Sequence, residues 1–453
     1  MTDKPDYSHD TIVAAATPPG IGGIGIVRIS GPDVPAITKS LIGSLPPARV
    51  ATLGDFHDAN GEAIDSGLAL YFPEPGSFTG EPVLELHGHG GPLVMGLLIE
   101  SAVALGARQA EPGEFSKRAF LNDKFDLTQA EAIADLIGSG TSQAARAALR
   151  SLSGTFSAAV AALQEQLVKL RMHVEAAIDF PEEEIDFLSD EQLLARIADC
   201  DKAFQALLEE ARAGRVLRDG YQVIIVGQPN AGKSSLLNLL SGQEAAIVTE
   251  LAGTTRDILR EKIDIDGLLV ELIDTAGLRD NPDQIEAEGI RRARKVIKNA
   301  DAILWIQDAS SEEKESLAAL GEELPNDVPL VTVRNKIDLI GLTPGLANEE
   351  AMTINISAKT GAGTDTLRDE IRKLAGHRDL GEGSFTARRR HVDALKKAEN
   401  HFRSGRKALE ESKAGELLAE ELRLAQEALG EITGSFTSDD LIGKIFSEFC
   451  IGK

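Results

Sequence analysis

Gly227-Gln228-Pro229-Asn230-Ala231-Gly232-Lys233-Ser234-Ser235 is the stretch whose reading decides the fold. An apolar run, 221–226, leads into it, and a leucine-rich segment, 236–240, follows. Strand, glycine loop and helix in that order are the context of a P-loop. Backbone N–H groups of such a loop converge on phosphate oxygens, and the helix start adds its positive end. Lys233 then supplies a point charge to the outer phosphates, and Ser234 supplies a hydroxyl to Mg²⁺. The alternative is a chance glycine turn. Four fixed residue types in the right context weigh against it.

The downstream sequence extends this reading. Thr249-Glu250-Leu251-Ala252-Gly253-Thr254-Thr255-Arg256-Asp257 is a polar loop with the character of a switch, one threonine hydroxyl completing the Mg²⁺ shell. Runs 262–266 and 268–273 form a hairpin about Gly267, and the second ends in Asp274-Thr275-Ala276-Gly277. An Asp there is placed to hold Mg²⁺ through water, and the glycine amide can sense a γ-phosphate. Strands 302–306 and 330–333 follow, the latter leading to Asn335-Lys336-Ile337-Asp338. A carboxylate at Asp338 accepts from the ring N–H and the exocyclic amine of guanine. Adenine has no such donor pair and would leave a buried carboxylate unpaired. Ser357-Ala358-Lys359, after strand 353–356, completes the base pocket, and GTP is the expected nucleotide. GTPases of the Ras type commonly carry Gln after Asp-x-x-Gly, where this chain has Leu278. An apolar side chain cannot orient water. Glu286, in an acidic stretch, is a candidate for that task, with a solvated switch residue as the alternative.

Working outward, 453 residues imply two to four domains. The 47 Lys and Arg against 72 Asp and Glu give a net charge of −25, so an RNA contact needs a local basic patch. Arg388-Arg389-Arg390 is one candidate, and a solvated helix start is the other reading of it. Aromatic content of 4% argues against a surface built on base stacking. Two cysteines, Cys200 and Cys450, make no disulfide framework and fit a reducing cytoplasm. No secretory signal is evident, and no apolar run reaches the roughly 18 residues of a membrane span.

Residues 1–125 mix short strands (11–16, 25–29, 67–72, 83–86) with turns and read as an α+β domain. Gly20, Gly22 and Gly25 match G-x-G-x-x-G, but a strand-like run follows them and no acid stands about 20 positions on. A turn, or a loop approached by a ligand, is preferred. His87-Gly88-His89-Gly90-Gly91 lacks companion metal ligands and reads as a structural turn before a helix. Residues 126–219 and 377–453 show helical periodicity on either side of an alternating strand–helix segment, 220–376. The economical architecture is a split helical domain with the P-loop domain inserted into it.

Together with these elements, Ala16-Thr17-Pro18-Pro19-Gly20, Ser77-Phe78-Thr79-Gly80-Glu81, Pro112-Gly113-Glu114-Phe115 and the terminal Phe449-Cys450-Ile451-Gly452-Lys453 make the chain resemble the MnmE (TrmE) family of tRNA-modification GTPases. The resemblance runs nearly the whole length. It implies a multidomain protein: an N-terminal α+β folate-binding and dimerisation domain, an α-helical bundle domain and an inserted α/β Ras-like G domain. It implies a homodimer that joins an FAD-dependent partner, MnmG, in a heterotetramer. Together they add an aminomethyl or carboxymethylaminomethyl group to C5 of the wobble uridine of certain tRNAs. The one-carbon donor is a 5-formyl- or methylene-tetrahydrofolate, which by motif match meets Arg28, Glu85, Lys124 and Lys453. G-domain pairing and K⁺ stimulate hydrolysis, the ion taking the place of an arginine finger. Its matching ligands are Asn230, Thr249, Leu251 and Thr254, and Ser234 and Thr255 match the Mg²⁺ ligands. Glu286 matches the water-orienting acid, and Arg256 and Arg279 match switch residues. Glu250 in place of Asp is a conservative departure. Ile21 in place of a frequent Arg weakens any charge argument for the first loop. Cys450 fits the letter of a prenylation box poorly. With Lys453 near, a nucleophilic thiol is the other role open to it. Two further function classes remain for comparison: an RNA-binding assembly GTPase with a similar Gly-Thr-Thr-Arg switch, and a membrane-associated transport GTPase.

Overall fold

The computed structural model describes residues 10–179, 191–227, 230–242, 260–265, 268–274, 300–311, 328–375, 384–435, 439–447, 449 and 451–452. It divides into two units, Met1–Ala134 with Gly430–Lys453, and Asp135–Leu429.

The first unit is built on a six-stranded sheet of order β3-β4-β5-β2-β1-β6. Its strands are β1 (Ile12–Ala15), β2 (Gly22–Ser30), β3 (Thr52–His57), β4 (Ala63–Phe72), β5 (Val83–Gly90) and β6 (Arg108–Gln109). β2 and β5 run antiparallel, with Val27 opposite Leu86, Arg28 opposite Glu85 and Ile29 opposite Leu84. Side chains alternate across a strand, so one face collects Val27, Ile29, Leu84 and Leu86 and the other collects Arg28 and Glu85. The apolar face is buried with Val13 beneath α1 (Val34–Ile42) and α2 (Pro92–Ala104), whose Ile37, Leu41 and Leu98 complete the core. Each fully buried aliphatic side chain there contributes about 1.5–3 kcal/mol relative to exposure. On the other face, Ile12 and Ala14 pack with Phe115 of α3 (Glu114–Leu121). That helix leaves Arg28 and Glu85 half-buried.

Two sequence expectations change here: residues 87–90 are not a turn, and Gly22 and Gly25, expected in a turn or loop, lie in a strand. Residues 87–90 are the end of β5 and not a turn, with Gly25 opposite Gly88 and Gly22 opposite Gly90. A Cβ on Gly90 would lie 2.7 Å from the Gly22 carbonyl oxygen, so glycine there permits the close strand approach. Gly22 and Gly25 lie in β2 and no helix follows directly, which bears out rejection of the dinucleotide fingerprint.

The C-terminal part of the same unit packs Ile442, Ile445 and Phe446 of the helix Asp439–Ser447, together with Phe449, against Leu127 and Ala130 of α4 (Leu127–Ile137). The chain then reaches Gly452, which has φ +94 and where a Cβ would stand 2.0 Å from the Ala15 carbonyl oxygen. Only glycine fits that contact and that backbone conformation together.

In the second unit, α5 (Ser142–Leu152), α6 (Thr155–Asp179) and α7 (Glu191–Asp219) pack with the helix Arg389–Ser412. Phe156, Val160, Leu163, Leu167, Leu170 and Val174 recur at three-to-four spacing on α6 and are buried. Phe204 and Phe402 meet at 5.3 Å between ring centroids. α7 leads through Gly220 into β7 (Tyr221–Gly227), an inner strand of a seven-stranded sheet of order β12-β13-β11-β10-β7-β9-β8. The others are β8 (Arg260–Ile265), β9 (Leu268–Asp274), β10 (Ala302–Asp308), β11 (Leu330–Asn335), β12 (Gly345–Asn348) and β13 (Thr353–Asn355). The five inner strands are parallel and both edges antiparallel. Within β7, Val223–Val226 are buried on both faces, which makes that stretch a continuous apolar run. Arg215 of α7 pairs with Asp301, whose other oxygen accepts the Gln222 N–H at 3.0 Å, tying helix to sheet. Among the described residues, no helix is long and apolar enough to cross a membrane.

Candidate nucleotide site

β7 ends where the chain order reverses. The connection after it leads to β8 and β9 on one side, and the chain later returns as β10 on the other. Ligands of open parallel sheets bind at such a switch point, outside the carboxyl ends of the strands. Asn230, Ala231 and Gly232 lie there, and Lys233 opens α8 (Lys233–Gly242). The Lys233 ammonium is buried and donates to the Gly227 carbonyl at 2.9 Å, across the loop. Ser234 and Ser235 are exposed on the first turn. Asn230 holds a positive φ of 65°, a region where Asn is among the better-tolerated non-glycine residues. Gly232 has φ +93, and a Cβ on it would sit 2.2 Å from Asn335 Nδ2. The loop is therefore shaped against the segment that begins at Asn335.

Asn335 is the junction. It is 2% exposed. Its Nδ2 donates to the Ala231 carbonyl at 2.9 Å, and its Oδ1 accepts from the Lys336 N–H at 2.8 Å and the Ala358 N–H at 2.9 Å. One amide thus joins three loops that are distant in sequence. Asp338 opens outward, with Oδ1 accepting from the buried Ser357 hydroxyl at 2.7 Å. Its carboxylate is fixed in orientation and exposed, as a reader of guanine must be. Lys359, on the same loop as Ser357, is also exposed.

Asp308 escaped the sequence reading. It ends β10, and its carboxylate accepts from Lys336 Nζ at 2.6 Å and from the Ser310 hydroxyl at 2.6 Å. The Lys336 hydrogen bond first, and the Ser310 bonds after it, bring the Asp308 carboxyl down to about 2. This pair steadies Lys336 at φ 65°, a conformation costly for a non-glycine residue. The available signal was an acid at the carboxyl end of a buried strand.

Asp274 ends β9, its backbone opposite Ile225. Thr249, Glu250, Leu251, Ala252, Gly253, Thr254, Thr255, Thr275, Ala276, Gly277 and Glu286 lie outside the described residues, as do Cys450 and Lys453. Among the described residues, no cluster of three or more His, Cys, Asp or Glu could hold a metal ion.

The first unit brings together a second group. Arg28 Nη2 lies 2.8 Å from Glu85 Oε1, and its guanidinium carbon is 5.4 Å from the Phe78 ring centre and 5.8 Å from that of Phe115. Lys124 donates to the Pro75 carbonyl at 2.8 Å, and its neighbour Phe125 meets Phe78 at 5.9 Å. Lys124 and Arg28 therefore border the same Phe78 loop. Spacing alone missed Phe78 and Phe115 as ring partners. The triple arginine resolves differently: Arg388 is buried and pairs with Asp135 at 2.8 Å beside Arg218, just ahead of the helix Arg389–Ser412. It is a structural ion pair and does not belong to a surface patch.

A glycine loop at the switch point of a Ras-like mixed sheet, joined to an Asn-Lys-x-Asp pocket, defines a P-loop guanine-nucleotide-binding protein. Family models described as "MnmE helical domain" and "GTP-binding protein TrmE N-terminus" match residues 127–450 and 11–124. The tRNA modification GTPase MnmE of Stutzerimonas stutzeri is 55% identical over 452 residues, covering 98% of this chain and 99% of that protein. Its counterpart from Alkalilimnicola ehrlichii is 56% identical over 448 residues, covering 98% and 100%. The chain belongs to the MnmE family of tRNA modification GTPases.

Proposed function

We propose that the protein hydrolyses GTP and, with an FAD-dependent partner of the MnmG type, adds an aminomethyl or carboxymethylaminomethyl group to C5 of the wobble uridine of certain tRNAs. The donor is a tetrahydrofolate one-carbon derivative held by Arg28, Glu85, Lys124 and Lys453. The observation that carries this reading is the half-buried Arg28–Glu85 pair beside Phe78 and Phe115. A carboxylate paired with an arginine that lies by two aromatic rings suits a flat heterocycle with an amino-pyrimidinone edge. A GTPase that only binds RNA and signals has no use for such a group.

At the nucleotide site, Asp338 reads the guanine edge and Ser357 keeps its carboxylate in place. Lys233 exchanges the Gly227 carbonyl for phosphate oxygens. Ser234 and Thr255 hold Mg²⁺, and Asn230, Thr249, Leu251 and Thr254 hold K⁺. The two ions supply positive charge where negative charge develops during phosphoryl transfer. Glu286 orients the attacking water. Residues 1–125 form the folate-binding and dimerisation domain, 126–219 and 377–453 the helical domain, and 220–376 the inserted G domain. The protein works in the cytoplasm as a homodimer within a heterotetramer.

The test is nucleoside analysis of tRNA from a strain lacking the gene. Loss of the C5 modification, restored by the wild-type gene and not by Arg28→Ala, is expected. Unchanged wobble uridines in the deletion strain would sink the reading.

A further inference from the structure

The outer face of β5 carries Glu85, His87 and His89 in alternation. Glu85 divides its two oxygens between different partners. Oε1 accepts from Arg28 Nε at 3.0 Å and Nη2 at 2.8 Å. Oε2 faces His87 Nε2 at 3.2 Å. His89 is engaged elsewhere, its Nδ1 lying 2.7 Å from Asp65 Oδ1 and its backbone N–H donating to Asp65 Oδ2 at 2.7 Å. The side chains of Arg28, Glu85 and His87 are 20%, 17% and 25% exposed, so the three remain reachable from solvent while largely screened from it.

Arg28 places both donors on one oxygen, which leaves rotation about the last side-chain bond of Glu85 weakly restrained, because that torsion is broad. A second contact on Oε2 fixes the carboxylate plane. An amino-pyrimidinone edge presents an N–H and an NH₂ side by side and needs both carboxylate oxygens in one plane to receive them. We propose that His87 is a positioning residue of the folate site: its Nε2–H holds Oε2 of Glu85, so that the carboxylate meets the heterocycle edge already aligned. Oε2 has a second lone pair for the ligand beside the His87 contact, and Oε1 receives the other ligand donor in exchange for one of its two Arg28 bonds. The role requires the tautomer protonated at Nε2. The inference rests on reading Arg28 and Glu85 as folate ligands.

The experiment is calorimetric titration of the full-length protein with 5-formyltetrahydrofolate, with a guanine-nucleotide titration on each sample to report that the chain is folded. His87→Ala weakens folate binding about tenfold, the scale of a lost hydrogen bond to a charged group. His87→Gln, which keeps a side-chain N–H within reach of Glu85, stays within about threefold of wild type. Wild-type affinity in His87→Ala overturns the proposal, as does a Gln variant no better than Ala, since a purely steric role would not distinguish donor from non-donor. If wild type itself fails to bind folate, the folate reading falls and this inference falls with it. The wild-type titration separates the two failures.

Discussion

Asn335 Nδ2 donates to the Ala231 carbonyl at 2.9 Å, joining the Asn335–Asp338 segment to the glycine loop through one side chain. Its Oδ1 holds two further backbone N–H groups, those of Lys336 and Ala358. Removing the amide leaves three buried or half-buried polar groups without their partner, at about 1–3 kcal/mol each. Asn335→Ala is therefore expected to weaken GTP and GDP alike, by at least about a hundredfold, and to lower the melting temperature of the nucleotide-free protein. Fluorescent-nucleotide titration and a thermal melt check both effects. Loss of GTP binding with GDP binding retained would contradict a junction role.

In the proposed site, Asp338 concerns the base alone. Its Oδ1 is held by Ser357 at 2.7 Å, so a change there alters the reading edge with little effect on the loop. Asp338→Asn replaces an acceptor by a donor opposite the guanine amine. GTP affinity should fall by roughly two orders of magnitude, while xanthosine triphosphate, with an oxygen at that ring position, should bind better than GTP does. Competition titration decides this. An unchanged preference for GTP would remove Asp338 from the base pocket.

Much of this site is legible in sequence because each motif is contiguous and follows a buried parallel strand. Runs such as 223–226 and 302–306 are apolar on both faces and admit little else. The edge strands β3 and β12 gave no such signal. β3 buries only Phe56, and β12 exposes Leu346. The Asp308–Lys336 pair joins neighbouring strands and needs the β10–β11 register to be found. Arg28 and Glu85 meet only through the β2–β5 register, so spacing said nothing of them and the family resemblance alone named them. Residues 87–90 misled because glycines read as a turn. Here they bring two strands close.

The Asp308–Lys336 pair gives a pH dependence. The Asp308 carboxyl is lowered from 3.8 to about 2, chiefly by Lys336. A depressed carboxylate contributes stability that is present above its unfolded value and lost as pH falls through its folded value. The window is therefore from about pH 3.8 down to about 2. Trp305, the one tryptophan of the chain, lies in β10 three positions before Asp308 and reports unfolding there. Followed by Trp305 fluorescence, wild type should lose stability more steeply across that window than Asp308→Asn. Parallel curves would show that the pair adds nothing.

Cys200 is buried in α7, and desolvation pushes its thiol up to about 11. Thiolate is the reactive form, and little of it exists at neutral pH under that shift. In a Cys450→Ser background the native protein should resist alkylation at pH 8 and react only after denaturation. Mass spectrometry follows the label. Rapid native labelling would mean that α7 opens readily.

Leu278 cannot orient water, so hydrolysis needs another residue, for which we propose Glu286. Glu286→Ala should abolish turnover while GTP affinity stays within about threefold of wild type, because positioning a nucleophile adds little to ground-state binding. The ion requirement gives a separate check on the same chemistry. Asn230 sits on the phosphate loop with its backbone at φ 65°. If its side chain joins Thr249, Leu251 and Thr254 around K⁺, replacing K⁺ by Na⁺ should slow single-turnover hydrolysis markedly in wild type. Asn230→Ala should remove the difference between the two ions. Equal rates in K⁺ and Na⁺ for wild type would refute the potassium site and leave the Glu286 assignment standing, since the two tests perturb different groups.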